Sequence, residues 1–129
     1  NKFINVRKKI SRFFNKLFSD KSKFRVPKKI ENTENLFHLY PLLVNFNKIK
    51  DTKKKIIIKF LKKKIKLQVH YIPINTQPYY KKKYKNDLKK FKNTNFFYER
   101  CISLPIYYDL NNIQLRYIAK VCKKIFKIK

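Results

Sequence analysis

The sequence predicts one α+β domain over residues 1–129, with helices laid on one face of a sheet. Three observations lead there. At 43% hydrophobic and 16% aromatic, the chain is too apolar for a disordered segment, and its 129 residues suit one modest core rather than two. Apolar residues recur at three-and-four spacing near both ends, the mark of amphipathic helices. Between those ends, short apolar runs alternate with polar loops and a helical stretch, the strand–helix–strand order of an α+β sandwich.

Taken in order, residues 2–18 place Phe3, Val6, Ile10, Phe13, Phe14 and Leu17 on one helical face, with Arg7, Lys8, Arg12 and Lys16 on the other. Such a helix could lie on a membrane, but lysine is abundant everywhere in this chain, and docking on a core is the better reading. Residues 19–22 end it. Phe24-Arg25-Val26-Pro27 follows as a short extended piece, then a polar loop over 28–35. The longest apolar run, residues 36–46, is predicted to be a strand. Pro41 has no N–H for a ladder, which argues for an edge position or a bulge. His38 within the run reads as a hydrogen-bonded structural histidine rather than a ligand. Asp51 is the expected N-cap of a helix over 52–64, with Ile57, Phe60, Leu61 and Lys64 on one side. Residues 67–71 then return as a second strand beside the first.

That second strand leads into the most unusual stretch of the chain, residues 69–80. Pro73 stops the strand, and Asn75-Thr76-Gln77-Pro78 is turn chemistry, with Pro78 biasing Gln77 away from helix. An imidazole, two amides and three phenols crowd into it: His70, Asn75, Gln77, Tyr71, Tyr79 and Tyr80. A strand delivering such groups to a loop can form a ligand-facing rim. The residues alone fit an edge strand running into a Tyr-rich surface loop equally well.

Residues 79–92 are rich in Tyr and Lys, a mixture able to stack on and neutralise single-stranded nucleic acid. No RNP-like, zinc-knuckle or KH pattern accompanies it, and the chain has no Gly for a phosphate loop, so a solvated, mobile insertion is expected. A short helix over 95–100 should carry Phe96, Phe97 and Tyr98 to the core. Residues 101–106 alternate as a third strand, with Ser103 and Pro105 on one side and Ile102, Leu104 and Ile106 on the other. Asn111 is placed to cap a last helix whose buried stripe is Leu115, Ile118, Cys122 and Ile125, and its terminal lysines suit the helix dipole.

The formal charge of +28 would ordinarily point to nucleic acid or an anionic membrane. Here Gly, Met and Trp are absent, while Lys, Asn, Ile, Phe and Tyr, all with A/T-rich codons, fill well over half the chain. Biased coding would spread lysine over every solvated face, so no specific nucleic-acid partner is expected. Cys101 and Cys122 lack metal-ligand spacing and read as buried apolar residues. No run is long enough to span a bilayer and no signal-peptide pattern opens the chain, so no membrane partner and a cytoplasmic location are expected. A start at Asn1 with no Met points to processing or to a piece of something longer. Catalytic chemistry is hard to find: no paired carboxylates, no Ser–His–Asp arrangement, and two histidines, too few for an imidazole metal site. The polar groups of 70–80 make half a site.

Several ordered motifs carry a resemblance. His38-Leu39-Tyr40, Gln68-Val69-His70-Tyr71-Ile72-Pro73, Gln77-Pro78-Tyr79-Tyr80 and the run Phe97 to Ile106 resemble the C-terminal part of the DegT/DnrJ/EryC1/StrS sugar aminotransferases. Within that family the likeness is greatest to enzymes aminating a UDP-4-keto-6-deoxy-N-acetyl-hexosamine in pseudaminic acid synthesis. The resemblance implies the small domain of a fold-type I pyridoxal phosphate (PLP) enzyme, with a short, mainly antiparallel sheet. It implies a nucleotide-sugar between that domain and a large one, and a homodimer. It also implies substrate contacts at His70, Tyr71, Ile72 and Pro73, then Gln77 and Tyr80, and no catalytic residue or metal ligand within these 129 residues. The Schiff-base lysine, the carboxylate facing the pyridinium nitrogen and the phosphate cup belong, by the same implication, to a large domain outside this chain. PLP would thus be bound in the full-length family member and not by these residues alone. The chain departs from the family at Lys64 and Lys66, where glycines are usual, and at Asn75 and Tyr108. Two further readings stay open: a basic nucleic-acid or ribosome-associated module, and an inactive gene remnant.

Overall fold

The computed structural model describes residues 1–28, 30–84 and 88–128. Helix α1 (Lys2–Leu17) is followed by β1 (Phe24–Arg25), β2 (Tyr40–Val44), α2 (Phe46–Ile49) and α3 (Lys53–Lys62). A 3-10 turn (Ile74–Thr76), α4 (Pro78–Tyr84), a second 3-10 turn (Leu88–Phe91) and α5 (Lys92–Arg100) lead to β3 (Cys101–Leu104) and α6 (Asn112–Phe126). The strands form one antiparallel sheet in the order β1-β2-β3, as an α+β domain requires.

Alternation along the strands gives the sheet two different faces. Tyr40, Leu42 and Val44 of β2, with Ile102 and Leu104 of β3, join Ile10 and Phe14 of α1, Ile56 and Phe60 of α3, and Ile118 and Phe126 of α6 in one core. Phe126 is the hub: its ring centroid lies 6.0 Å from Phe18 and 5.4 Å from both Phe24 and Phe60. Each such ring pair adds about 0.5–1.5 kcal/mol beyond its buried area. Beneath α1 the Tyr40 hydroxyl donates to Asn15 Oδ1 at 2.7 Å, and full burial raises the phenol's pKa.

Several expectations need correction. The Pro41 strand is central, not at the edge. Ser103, opposite Pro41, spends its backbone N–H and C=O on Gln68, so Pro41 and Ser103 form a non-hydrogen-bonded pair. The side on which Pro41 lacks a donor therefore faces β1, which pairs only with Leu43 and Val44. β2 is central in order but locally an edge at its proline. Residues 67–71 are not a second strand beside it; they touch the sheet through a single bridge, Gln68 to Ser103, on the outer side of β3.

His38 lies exposed ahead of β2, not in a strand. Thr52, not Asp51, caps α3, accepting from Lys55 N; Asp51 accepts from Thr52 N and pairs with Lys59. The buried face of α3 is Ile56 and Phe60, whereas Leu61 points to solvent: the helix is rotated on the core so that the i, i+4 pair Ile56–Phe60 faces inward. In α6 the capping box of Asn111 and Gln114 is present, and the stripe gains Val121 and Phe126 while Ile125 is only half-buried. Both cysteines are free and buried. Residues 78–84 form α4, not an unstructured insertion, and residues 85–87 of that expected segment lie outside the described residues. Lys64, where the family resemblance expects glycine, sits at φ 57°, the left-handed region that disfavours a Cβ. Among the described residues, no helix is long and apolar enough to cross a membrane.

Candidate functional site

The sheet face turned away from α1 and α6 presents Cys101 and Ser103, which stand apart from the main core. Over it runs the chain from Gln68 to Thr76, opposed by α5. Two backbone bonds between Gln68 and Ser103, 3.0 and 2.9 Å, bring this segment alongside β3. One residue pair further on, His70 Nε2 meets Ser103 Oγ at 2.8 Å, and the imidazole centroid lies 6.2 Å from that of Phe97. Pro73 is buried, and its carbonyl accepts from both the amide and the hydroxyl of Thr76, at 2.9 and 2.7 Å. Buried Asn75 donates from Nδ2 to Asn95 Oδ1 at 3.2 Å, pinning the turn to α5. Gln77 is extended, at φ −67° and ψ 137°, as a residue before proline should be.

These contacts leave a cleft of about 420 Å³, lined by His70, Tyr71 and Pro73 on one wall and Asn93, Thr94, Phe97 and Tyr98 on the other. Among the described residues, no Lys, Arg, Asp or Glu side chain lines it, although the chain carries +28. The six substrate positions named from the sequence thus separate. His70, Tyr71 and Pro73 share the cleft, with Tyr71 98% exposed; Ile72, Gln77 and Tyr80 are outside its lining.

The α5 wall escaped the sequence reading. Phe96, Phe97 and Tyr98 do not reach the core, since α5 has no buried residue; they cover this second face of the sheet instead. Asn93 and Thr94 gave no signal, being twenty residues from the strip they oppose. Arg25 of β1 lies over the Phe96 ring at 5.3 Å, a cation–π contact that holds α5 against the sheet, and Arg100, one turn on in α5 itself, lies over the same ring at 4.0 Å. At the rear, the Lys53 ammonium donates to the Tyr98 carbonyl and lies 4.6 Å from the Tyr98 ring centroid. Burial lowers the Lys53 pKa, while Cys101 and Glu99 act in the opposite sense.

Residues 1–124 match the family model for the DegT/DnrJ/EryC1/StrS aminotransferase family. The chain is 32% identical over 119 residues to an uncharacterized protein of Methanocaldococcus jannaschii, covering 92% of this chain and 31% of that protein. It is 29% identical over 92 residues to the spore coat polysaccharide biosynthesis protein SpsC of Bacillus subtilis, covering 70% of this chain and 24% of SpsC. Among solved structures, Helicobacter pylori PseC, an aminotransferase involved in pseudaminic acid biosynthesis, superposes with a TM-score of 0.82 at 27% identity. That match covers 97% of this chain and 33% of PseC. Spr1654 of Streptococcus pneumoniae in its PLP form shares the fold, with a TM-score of 0.80 at 24% identity over 97% of this chain and 31% of that one. The chain thus spans about a third or less of the length of each of these proteins.

As lined by its described residues, the His70 cleft does not fit PLP. Lys53 has its ammonium committed to Tyr98, and no lysine or carboxylate lines the cleft to engage the cofactor's aldehyde or its pyridinium.

Proposed function

Because the chain belongs to the DegT/DnrJ/EryC1/StrS aminotransferase family, we propose that it forms the substrate-side, C-terminal part of a PLP-dependent nucleotide-sugar aminotransferase. The cofactor, when bound, supplies the electron sink for amino transfer. In this reading its lysine, carboxylate and phosphate contacts come from the length of the relatives that this chain does not match. The assembled enzyme is the family's homodimer. The likeness to PseC favours a UDP-4-keto-6-deoxy-N-acetyl-hexosamine, on a route of the pseudaminic acid type.

The neutral lining of the cleft carries the proposal. In a chain so rich in lysine, a recess lined by imidazole, amide, hydroxyl and aromatic groups suits a hydroxylated ring better than a bare phosphate. Ser103 holds His70 through Nε2 and leaves Nδ1 for the ligand, Phe97 and Tyr98 supply an apolar wall, and the exposed Tyr71 stands at the rim. Ile72, Gln77 and Tyr80, outside the lining, are assigned to the substrate in this reading by the family resemblance alone.

A graft tests this. The chain replaces the matching third of PseC, and amination of the UDP-keto-sugar is followed. Wild-type graft should turn over, and His70→Ala should raise KM by roughly tenfold, the worth of one lost hydrogen bond of about 1.4 kcal/mol, at unchanged cofactor absorbance. Loss of that absorbance in His70→Ala, or a graft that binds PLP yet leaves the sugar untouched, refutes the placement.

A further inference from the structure

Among the lysines of α3, Lys53 stands apart. Lys54, Lys55, Lys59 and Lys62 are exposed, as lysine spread by biased coding should be, whereas Lys53 is half-buried. It is also the first residue of the helix, where the macrodipole disfavours a cation, and burial strips its ammonium of water and lowers its pKa. Such a placement is unfavourable unless the ammonium's own contacts offset it. Lys8, Lys23 and Lys59 pair with carboxylates among the described residues, but the Lys53 ammonium turns to one tyrosine. It donates to the Tyr98 carbonyl and lies 4.6 Å from the Tyr98 ring centroid.

The two contacts fix Tyr98 at both ends. Its carbonyl belongs to the last turn of α5, whose carbonyls have no donor within the helix. The Cys101 N–H serves Phe97 there, and Lys53 serves Tyr98, placing a cation at the negative end of the α5 dipole. The ring is tethered to the same ammonium, so turning about χ1 would forfeit the cation–π contact. Tyr98 in turn lines the cleft opposite His70 and Pro73, while Lys53 stands outside the described lining. We propose that Lys53 is a positioning residue of this cleft: it does not touch the ligand, but by holding Tyr98 in one rotamer it sets the width available to the sugar ring. This deepens the reading of the His70 cleft as a sugar site and rests on it. A solvated lysine could not take the role, because it holds no ring in place.

The 129-residue chain and the PseC graft test this together. In the NMR spectrum of the chain, the Lys53 ε-methylene protons should lie upfield of those of Lys54 and Lys55, shifted by the Tyr98 ring. Three-bond couplings should report a single χ1 rotamer for Tyr98. Lys53→Met, similar in length but uncharged, should average those couplings, and Lys53→Arg, which keeps a cation and a donor, should restore them. In the graft, Lys53→Met should raise KM for the UDP-keto-sugar about three- to tenfold, the scale of one lost cation–π contact, at unchanged kcat and cofactor absorbance. Lys53→Arg should return KM to within about twofold of wild type. Tyr98→Leu should also raise KM, and adding Lys53→Met to it should change KM no further, because Lys53 acts only through that ring. A lysine that merely supports the fold would lower the urea midpoint and leave the Tyr98 rotamer and KM unmoved, and that outcome overturns the proposal. So does an additive effect in the double variant, or absence of the upfield shift in wild type, a result that needs no variant to fold. A wild-type graft that leaves the sugar untouched refutes the sugar reading instead, and the Tyr98 couplings then decide the role of Lys53 by themselves.

Discussion

The bond between His70 and Ser103 makes a sharp prediction about energy. Ser103 is 2% exposed, and its backbone is already committed to Gln68, so its hydroxyl depends on the imidazole for a partner. His70 is only half-buried, so water can reach its ring if the serine is lost. Removing either partner therefore has unequal cost. Ser103→Ala forfeits one neutral hydrogen bond that solvent can partly replace, about 0.5–1 kcal/mol. His70→Ala strands a buried hydroxyl, for which the desolvation penalty is about 1–3 kcal/mol. The more exposed residue should thus be the costlier to delete. In the double variant the stranded hydroxyl is gone too, so the two costs should fail to add by about 1 kcal/mol. Urea denaturation followed by circular dichroism and tyrosine fluorescence on the four proteins measures all three quantities. A coupling below about 0.3 kcal/mol, or Ser103→Ala costing more than His70→Ala, would show that the bond does not hold the imidazole in place.

Two further outcomes concern the backbone and the thiols. Lys64→Gly should stabilise the chain by about 0.5 kcal/mol, because relief of a left-handed side chain, about 1 kcal/mol, exceeds the added freedom of the unfolded state. Lys66→Gly should instead destabilise it, since Lys66 is not among the described left-handed residues; equal shifts in urea midpoint would contradict this. Burial pushes the Cys101 thiol from 9.0 up to about 11, opposed by Lys53, so the unfolded chain releases this proton first. Stability from Cys101 is then complete below pH 9 and lost as pH climbs through 11. Cys101→Val should flatten that part of the pH profile; an unchanged slope would count against burial as the cause.

How far the residues alone disclosed this protein depended on the range of the forces involved. Local periodicity and end chemistry were legible: α1 over Lys2–Leu17, the Asn111 cap of α6, and the alternation of β3 are set by neighbours within one or two turns. So was the turn at Asn75 to Pro78, because proline constrains the residue before it whatever surrounds them. The family was legible as well, since its motifs are ordered along the chain.

Tertiary structure decided the rest, for a common reason. A strand's place in a sheet depends on partners far away in sequence, so Pro41 could be central only because β1 ends after two residues and leaves the proline's donorless side unpaired. The second wall of the cleft is likewise a matter of packing. Asn93, Thr94 and Phe97 oppose His70 and Pro73 because α5 closes over the second face of the sheet, and no local pattern records which face a short amphipathic helix will cover.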